Sequence, residues 1–392
     1  MIIEIFNRYR ACGGEELIAN QILHAIRKDR PIQSLRWHSS DWDRPEAPSK
    51  LGQLRRLFDN PDSAEELEDI INQGNVECLL CHNIYPIGSP SIYRVAREKK
   101  IPVIQFTHNF RPYSVSGTLW TGKDIAPEGL FGDFRKEIRT GAWQNSSFKS
   151  LLFALMLKWQ KYRGYNDVVT HWIAISNFMR DAFIQAGTPP ERITTLKHFW
   201  VPIEQLPEPS DQGYYLFLGR LAPEKGIQVL LATWAALEQR LGNQCPRLII
   251  GGTGDLQHAV AAASQANLKI QYVGYVSGEY KNELIANCRA MLAPSIWWEP
   301  LGLVTYEAYD FAKPMLAAAS GGLTETVTDS VTGFLHTPGS VNSFIESIIR
   351  CEGLSEQQRI QMGNAGRQWL LEDANLESWR HHFNRILQDV CK

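Results

Sequence analysis

The sequence predicts an α/β fold built from two doubly wound parallel sheets, one in each of two domains. With 392 residues, the chain is longer than one ordinary hydrophobic core requires. Short apolar runs alternate with amphipathic runs on both sides of residues 201–212, a polar segment that contains three prolines. We therefore predict domains at 1–200 and 213–374, joined by a linker at 201–212 and facing one another across a cleft.

The overall composition is that of a globular protein in water. Hydrophobic residues make up 44% and charged residues 21% of the chain, and the formal net charge of −2 gives no general attraction to nucleic acid. Seven cysteines spread over this length do not form a disulfide framework, which favours a reducing compartment. The start, MIIEIF, is typical of a strand rather than of a signal peptide, and no apolar run is long enough to span a membrane. We expect a cytoplasmic protein without a nucleic-acid partner.

The first βα unit has glycines where a ligand can approach the backbone. Residues 1–6 are β-branched or aromatic and residues 15–28 are amphipathic, which predicts a strand, a loop and a helix. Gly13 and Gly14 lie in that loop, at the carboxyl end of the strand. We predict that they lie close to a ligand; a simple helix entry is the alternative.

Two further strands of the first domain end in polar residues. Residues 76–83 and 101–105 are predicted strands, whereas residues 30–49 are interpreted as a polar loop. His108 follows the second of these strands, at the edge of an α/β sheet where ligands bind. A histidine there would hydrogen-bond a substrate hydroxyl or polarise a leaving group. The alternative is a structural histidine that closes the loop.

Two short motifs have more than one interpretation. The spacing of Cys78, Cys81 and His82 is that of haem attachment, but haem attachment requires export, and the stretch is also typical of a buried strand. Asp41 and Asp43 form a D-x-D pattern with which some transferases hold a metal, although two acids at this spacing are common by chance. We predict a strand in the first case and no metal in the second.

Residues 110–146 are too long for a passive connection, so we predict a mobile or binding loop. Residues 147–164 follow as an apolar helix with Lys149, Lys158 and Lys161 around it. A basic amphipathic helix of this kind lies on an anionic membrane surface or packs on its own domain, and the sequence leaves both interpretations open.

After the linker, the alternation of strands and helices restarts. The predicted strands are 214–218, 247–250, 270–273, 291–293 and 314–319, and the predicted helices are 227–241, 256–267, 280–287, 341–351, 355–371 and 376–390. Four features follow strands and so converge at one edge of the sheet: 219–226, 251–254, 299–307 and 321–322.

The residue types of these four features suit a ligand that carries both phosphate and hydroxyl groups. Arg220 and Lys225 supply a forked cation and a point charge, and a helix that begins near Gly302 supplies backbone N–H groups. Glu299 and Glu307 bracket that helix start and can accept hydrogen bonds from hydroxyl groups. A nucleotide sugar has both kinds of group.

At these residues the chain resembles the retaining glycosyltransferases of family 4, which have the GT-B fold. The likeness rests on GRLAPEKGIQVLL at 219–231, on the E-x7-E segment at 299–307 with the glycine pair after it, and on 82–112 and 174–193, so it covers most of the chain. It implies two Rossmann-like domains: an acceptor-side domain, onto which the helix at 375–392 packs back, and a domain that binds the nucleotide sugar.

The resemblance also implies a role for each candidate residue. Arg220 and Lys225 would bind the donor diphosphate and stabilise the leaving nucleoside diphosphate. Glu299 would contact hydroxyls of the transferred sugar, and His108 would lie over that sugar. The donor-binding residues would be Gly13, Gly14, Gly219, Gly252, Gly302, Leu303 and, at the ribose hydroxyls, Glu307. The co-substrate would be a UDP- or GDP-sugar, without a metal or another cofactor.

The chain departs from the family pattern near these residues. An N-G-V sequence usual after the strand at Ile193 is replaced by HFWV at 198–201, and paired tryptophans, Trp297 and Trp298, precede Glu299. We expect the first departure to alter the local acceptor or hinge geometry and the second to shape the sugar pocket.

The spacing of the two glutamates bears on the mechanism. Paired carboxylates of retaining glycosidases lie roughly 5–5.5 Å apart, whereas eight residues along a helix span roughly 12 Å. Glu299 and Glu307 therefore do not suit a double displacement, and we favour front-face transfer. Two rivals stay open: an epimerase or hydrolase of nucleotide sugars, which would change the donor without an acceptor, and a module that binds the donor without catalysis.

Family 4 enzymes often build cell-surface polysaccharide or lipid-linked glycan. The resemblance thus implies a glycan or lipid-linked acceptor, with residues 147–164 as a peripheral contact at the inner face of a membrane.

Overall fold

Parallel strands and helices alternate along the chain in the computed structural model, which describes residues 1–9, 14–208 and 210–391. The described residues divide into two units. Unit 1 takes in the described parts of Met1–Thr121, Ala126–His198 and Leu376–Lys392, and unit 2 takes in Gly122–Ile125 and the described parts of Phe199–Asn375.

Unit 1 has a six-stranded parallel sheet. Its strands are β1 (Ile2–Arg8), β2 (Ile32–His38), β3 (Cys78–Cys81), β4 (Val103–Thr107), β5 (Val169–Ala174) and β6 (Ile193–Thr195), in the order β2-β1-β3-β4-β5-β6. The central strands β3 and β4 are buried along their whole length, and their mostly apolar sequences, CLLC and VIQFT, are typical of such strands. The direction of chain progression reverses between β1 and β3, so the loops that leave these two strands diverge.

The helices of unit 1 cover this sheet. They are α1 (Gly14–Arg27), α2 (Lys50–Phe58), α3 (Pro61–Asn72), α4 (Ser91–Lys99), α5 (Arg135–Arg139), α6 (Ser147–Tyr162) and α7 (Asn177–Gln185). The last helix of the chain, Leu376–Val390, also belongs to unit 1. Its Trp379 ring stacks on Phe106 of β4 with centroids 6.5 Å apart, and Arg380 donates from Nη2 to the carbonyl of Ala25 at 3.1 Å.

The interpretation of residues 30–49 as a polar loop is wrong, because Ile32–His38 is a strand. This strand, β2, pairs with β1 along its length at the edge of the sheet. Arg36 of β2 donates from Nη2 and Nε to the buried Glu4 carboxylate of β1, at 2.6 and 2.9 Å. A half-buried edge strand carries polar residues and therefore lacks the apolar run that identifies a central strand.

The long segment at 110–146 contains a 3₁₀ turn, Pro127–Phe131, and helix α5. Hydrogen bonds to the fully buried carboxylate of Glu137 hold this segment together. The carboxylate accepts from the hydroxyl of Ser114 at 2.7 Å and from the backbone N–H of Ser116 at 2.8 Å. A buried charge that is bonded in this way fixes the path of the chain around it. The prediction that this segment is a mobile or binding loop stays a prediction.

Unit 2 has a second six-stranded parallel sheet. Its strands are β7 (Tyr214–Leu218), β8 (Arg247–Gly251), β9 (Ile270–Gly274), β10 (Ala290–Ala293), β11 (Met315–Ala318) and β12 (Gly333–His336), in the order β12-β11-β10-β7-β8-β9. Its helices are α8 (Ile227–Leu241), α9 (Gln257–Ala266), α10 (Gly278–Asn287), α11 (Leu303–Asp310), α12 (Leu323–Thr326), α13 (Val341–Glu352) and α14 (Glu356–Asp373), so the last helix of unit 1 is α15. The core includes the fully buried Trp234 and Phe344. Both units are thus doubly wound, as the sequence predicts.

None of the helices that the structure describes combines the length and the apolar character that crossing a bilayer requires.

Candidate functional site

The candidate site of unit 2 lies where its sheet reverses direction. Strands β7 and β10 are neighbours, but the chain continues from β7 to β8 on one side and from β10 to β11 on the other. The loops at their carboxyl ends therefore diverge and leave a crevice, the usual ligand position in such sheets. A hydrogen bond from the N–H of Ile296 to the carbonyl of Glu224, at 2.9 Å, ties the two loops together.

The centre of this site is an ion pair between Lys225 and Glu299. The ammonium of Lys225 donates to both carboxylate oxygens of Glu299, at 2.8 and 3.0 Å, and lies 5.1 Å from the centre of the Trp297 ring. The Ser295 hydroxyl and the Trp297 indole N–H also donate to Oε2 of Glu299, both at 3.0 Å. Because Glu299 is only 9% exposed, these four bonds hold the carboxylate in one orientation.

The start of α11 lies directly behind Glu299. Gly302, the residue before the helix, has φ 89°, and a Cβ on it would lie 2.4 Å from Cδ2 of Leu323. The positive φ therefore favours glycine there, and a larger residue would also displace the Leu323 side chain. The N–H of Gly322 donates to the carbonyl of Glu299 at 2.7 Å, so the glycine pair packs against the site. In the first turn of α11, the N–H of Thr305 donates to the carbonyl of Gly302 at 2.9 Å, whereas the N–H groups of Leu303 and Val304 precede this bond and are placed to bind an anion.

The loops after β7 and β8 approach one another closely. A Cβ on Gly252 would lie 1.9 Å from the carbonyl oxygen of Gly219, and the N–H of Gly219 donates to the carbonyl of Gly251 at 3.1 Å. The two predicted donor-binding glycines are therefore packed backbone to backbone.

The other charged candidates of unit 2 have partners of their own. Arg220 donates from Nη2 to Glu224 at 2.7 Å, and its side chain is 65% exposed. Glu307 forms an ion pair with Lys281 of α10 at 2.9 Å. Sequence reasoning missed Lys281, since it lies in an ordinary amphipathic helix and no motif marks it.

His108 of unit 1 lies in a buried stack of aromatic rings. Its Nε2 is 2.8 Å from Nδ1 of His82, and its ring stacks on Phe106 and on His198, with centroids 5.0 and 5.2 Å apart. Burial lowers the pKa of His82 to about 4 and that of His198 to about 3, and it also lowers the pKa of His108 well below the ordinary value. His108 is therefore a neutral imidazole at pH 7, which can hydrogen-bond a ligand but supplies no positive charge.

We predict that this histidine stack makes unit 1 sensitive to acid. The unfolded chain binds a proton at each histidine near pH 6.5, whereas the folded chain does so only at lower pH, so stability falls as the pH falls from about 6.5 to about 4. Each histidine contributes up to about 1.4 kcal/mol per pH unit in that window. Urea unfolding at pH 7, 6 and 5 measures the loss. His198→Phe should remove about a third of it, and His24→Gln, at an exposed position, should leave it unchanged. Equal stability at pH 7 and pH 5 would contradict the prediction.

The remaining candidates of unit 1 lie near the carboxyl end of β1. Gly14 begins α1, and Gly13 lies outside the described residues. Sequence reasoning missed Glu15, whose carboxylate accepts a hydrogen bond from the side chain of Asn109 at 2.8 Å. Burial raises the pKa of Glu15 to about 7. Nothing in the local pattern indicated this contact, because it joins positions 94 residues apart.

The two short motifs with more than one interpretation, at 78–82 and 41–43, have local structural roles. Cys78 and Cys81 are buried free thiols in β3, as the prediction of a strand requires. Asp41 accepts a hydrogen bond from the N–H of His38 at 2.7 Å and forms an ion pair with Arg44 at 2.7 Å. In the part of the chain that the structure describes, no group of three or more histidine, cysteine or acidic side chains is placed to hold a metal.

Residues 200–369 match the family model described as glycosyl transferases group 1. Over 246 residues the chain is 25% identical to the alpha-maltose-1-phosphate synthase of Mycolicibacterium smegmatis, which covers 55% of this chain and 61% of that protein. Over 194 residues it is 26% identical to the O-antigen chain mannosyltransferase B of Escherichia coli, which covers 45% of this chain and 50% of that protein. The chain spans 36% to 61% of the length of the first curated relatives that it matches.

Among solved structures, Anabaena HepE in complex with UDP and glucose has a TM-score of 0.68 with this chain at 17% identity, and the match covers 99% of this chain and 100% of that one. The fold is therefore that of two Rossmann-like domains, as in this solved structure, and residues 200–369 match the group 1 glycosyl transferases by sequence.

Proposed function

We propose that the chain is a retaining glycosyltransferase that moves a sugar from a nucleoside-diphosphate sugar, UDP- or GDP-linked, to an acceptor hydroxyl. The observation that carries this proposal is the Lys225–Glu299 pair, held by four hydrogen bonds beside the first turn of α11. It combines a cation and helix N–H groups for a diphosphate with an oriented carboxylate for sugar hydroxyls. The presence of UDP in the HepE structure supports the same donor class.

The site suits front-face transfer. As the bond between sugar and phosphate lengthens, Lys225, Arg220 and the N–H groups at Gly302 and Leu303 would stabilise the charge that develops on the departing diphosphate. Glu299 would hold the sugar by its hydroxyls, and the acceptor would attack from the side that the diphosphate leaves. The charge is then neutralised by protein groups, so this step requires no metal.

Incubation of the protein with nucleotide sugars, with and without acceptors, tests the proposed function. We expect nucleoside diphosphate release that depends on the acceptor, and a product whose anomeric configuration, read by NMR coupling constants, equals that of the donor. Alteration of the donor without an acceptor would indicate an epimerase or hydrolase instead. Donor binding without transfer over a broad acceptor panel would indicate a binding module.

Glu307 provides a separate test of the donor pose. We propose that its carboxylate, which Lys281 holds at 2.9 Å, accepts hydrogen bonds from the ribose hydroxyls. Loss of even one such bond to a charged group costs about 1.5–3 kcal/mol, so Glu307→Ala should weaken UDP binding in isothermal titration by at least roughly 10- to 100-fold. Glu346→Ala removes an exposed carboxylate of α13 and should leave the affinity unchanged. Unchanged affinity in Glu307→Ala would contradict the ribose contact.

We also propose that the acceptor is a glycan or a lipid-linked molecule at the inner face of a membrane, and that helix α6 contacts this membrane. Phe153 and Met156 of this helix are fully buried, so one face packs on unit 1. The other face exposes Phe148, Leu151 and Leu155 beside three exposed lysines. The charge and the exposed apolar side chains together suit an anionic bilayer surface.

Sedimentation with vesicles tests this contact. The protein should bind vesicles that contain phosphatidylglycerol, and Phe148→Ser with Leu155→Ser should weaken binding by at least about tenfold, because each apolar side chain contributes about 1.5–3 kcal/mol when buried in lipid. Leu371→Ser, at an exposed leucine of unit 2, is the matched control. Absence of the wild-type protein from the vesicle pellet would exclude the contact.

A further inference from the structure

Unit 2 has a second cavity, at the opposite end of its sheet from the Lys225–Glu299 site. Its volume is about 260 Å³. Cys288 and Arg289 lie in its wall and immediately precede β10, and Lys313 and Pro314 lie in its wall and immediately precede β11. Because parallel strands all begin at the same edge of a sheet, the cavity lies at the amino edge, whereas the loops of the candidate donor site leave the carboxyl edge.

Three cations, Arg289, Lys313 and Arg359, and three acids, Glu208, Asp211 and Glu356, line the cavity. The carboxylate of Asp211 accepts a hydrogen bond from Nε of Arg289 at 2.9 Å and forms an ion pair with Arg359 at 3.1 Å. Arg289 also donates to both carboxylate oxygens of Glu352 at 2.7 Å. These contacts pair the two arginines with Asp211 and Glu352.

Lys313 is the group in this wall whose charge is least satisfied. It is 8% exposed, and its ammonium donates to the carbonyl of Ser210 at 2.6 Å. Within the described ranges, the ammonium forms no ion pair with a carboxylate. Burial accordingly lowers the pKa of Lys313. A buried ammonium that has three donors and one carbonyl partner is disfavoured unless an anion reaches it.

The wall of the cavity is partly apolar and partly polar, since Glu208, Ser210 and Asn364 also line it. Phe311, Ala312, Pro314 and Ile360 line it, and none of these side chains can bond a polar ligand. Small-molecule sites typically combine a mostly apolar wall with a few polar groups that fix the orientation of the ligand. The apolar residues of this wall and the ammonium of Lys313 supply these two elements, beside the acidic Glu208 and Glu356.

We propose that this cavity is a second ligand site, which binds a small organic molecule with an apolar body and one anionic oxygen group, its oxygens on Lys313. The site is independent of the proposed transfer reaction, since it shares no residue with the Lys225–Glu299 site. An aryl phosphate is the simplest probe of this chemistry, because its ring matches the apolar wall and its phosphate matches the ammonium.

Isothermal titration of the full chain with phenyl phosphate tests the proposal, with benzyl alcohol as a neutral probe of similar size. We expect phenyl phosphate to bind, and benzyl alcohol to bind at least about tenfold more weakly, because only the phosphate can form charge-assisted hydrogen bonds. Lys313→Met keeps a long buried side chain and should weaken binding of phenyl phosphate by at least about tenfold. Lys225→Met removes the cation of the other site and should change the affinity less than about twofold.

Two outcomes would overturn the proposal. One is the absence of binding to the wild-type protein at 10 mM phenyl phosphate, a concentration about tenfold above a weak millimolar dissociation constant. The other is loss of binding in Lys225→Met but not in Lys313→Met, which would assign the probe to the donor site. If Lys313→Met does not fold, Ile360→Trp replaces it: the half-buried Ile360 lines the cavity, and an indole there should block phenyl phosphate. Unchanged binding in Ile360→Trp would equally overturn the proposal.

Discussion

Lys225→Ala should lower kcat/KM for sugar transfer about 1,000-fold, since removal of one preorganised group that stabilises developing charge costs about 10²–10³ in rate and this group carries a full positive charge. Lys225 contacts Glu299 and the Trp297 ring, and its side chain is 23% exposed, so water screens its charge weakly. We expect the effect to appear mainly in kcat, because the charge on the diphosphate increases as the bond to the sugar breaks.

Steady-state kinetics with a defined donor and acceptor measure this effect. Lys269→Ala is the matched control, because Lys269 is a half-buried lysine of the same unit that bonds the carbonyl of Asn243. It should keep the wild-type rate. Circular dichroism of Lys225→Ala establishes that the fold is intact. Transfer within about threefold of wild type in a folded Lys225→Ala protein would rule out a diphosphate role worth several kcal/mol.

Glu299→Gln should lower kcat/KM about 100-fold or more, because it removes both a contact to the sugar and the orientation of Lys225. Oε2 of Glu299 accepts hydrogen bonds from Lys225, Ser295 and Trp297. An amide group in this position either turns its NH₂ group toward these donors or offers them a weaker, neutral acceptor. The ammonium of Lys225 then also loses its carboxylate partner.

Comparison of two variants separates the two consequences. Ser295→Ala and Glu299→Gln both remove a bond of this cluster, but only Glu299→Gln removes the negative charge. We expect Ser295→Ala to reduce the rate less than about tenfold, since a neutral hydrogen bond contributes about 0.5–1.5 kcal/mol. Equal rates of Glu299→Gln and wild type would show that the carboxylate does not hold the sugar.

The prediction of the fold from the sequence depended on strands that are buried on both faces. The runs of β3 and β7 are continuously apolar and those of β4 and β8 are mostly apolar, so their positions were predicted to within a few residues. β2 was missed, since an edge strand with Arg36 bonded to a buried carboxylate has the composition of a loop. The fold that the comparisons show is the one expected from these patterns.

The sequence by itself determined which residue types follow each strand of unit 2. It therefore determined that a cation, two carboxylates and glycine loops meet at one edge of the sheet. It did so because parallel strands end at a common edge, whatever their order. The tertiary structure alone decided which charges pair. The strand order makes β7 and β10 neighbours, so Lys225 bonds Glu299, which lies 74 residues further along the chain. Arg220 instead bonds Glu224, four residues away, and Glu307 bonds Lys281. Ion pairing depends on distances of a few ångströms, and such distances are set by packing between segments that are remote in the sequence.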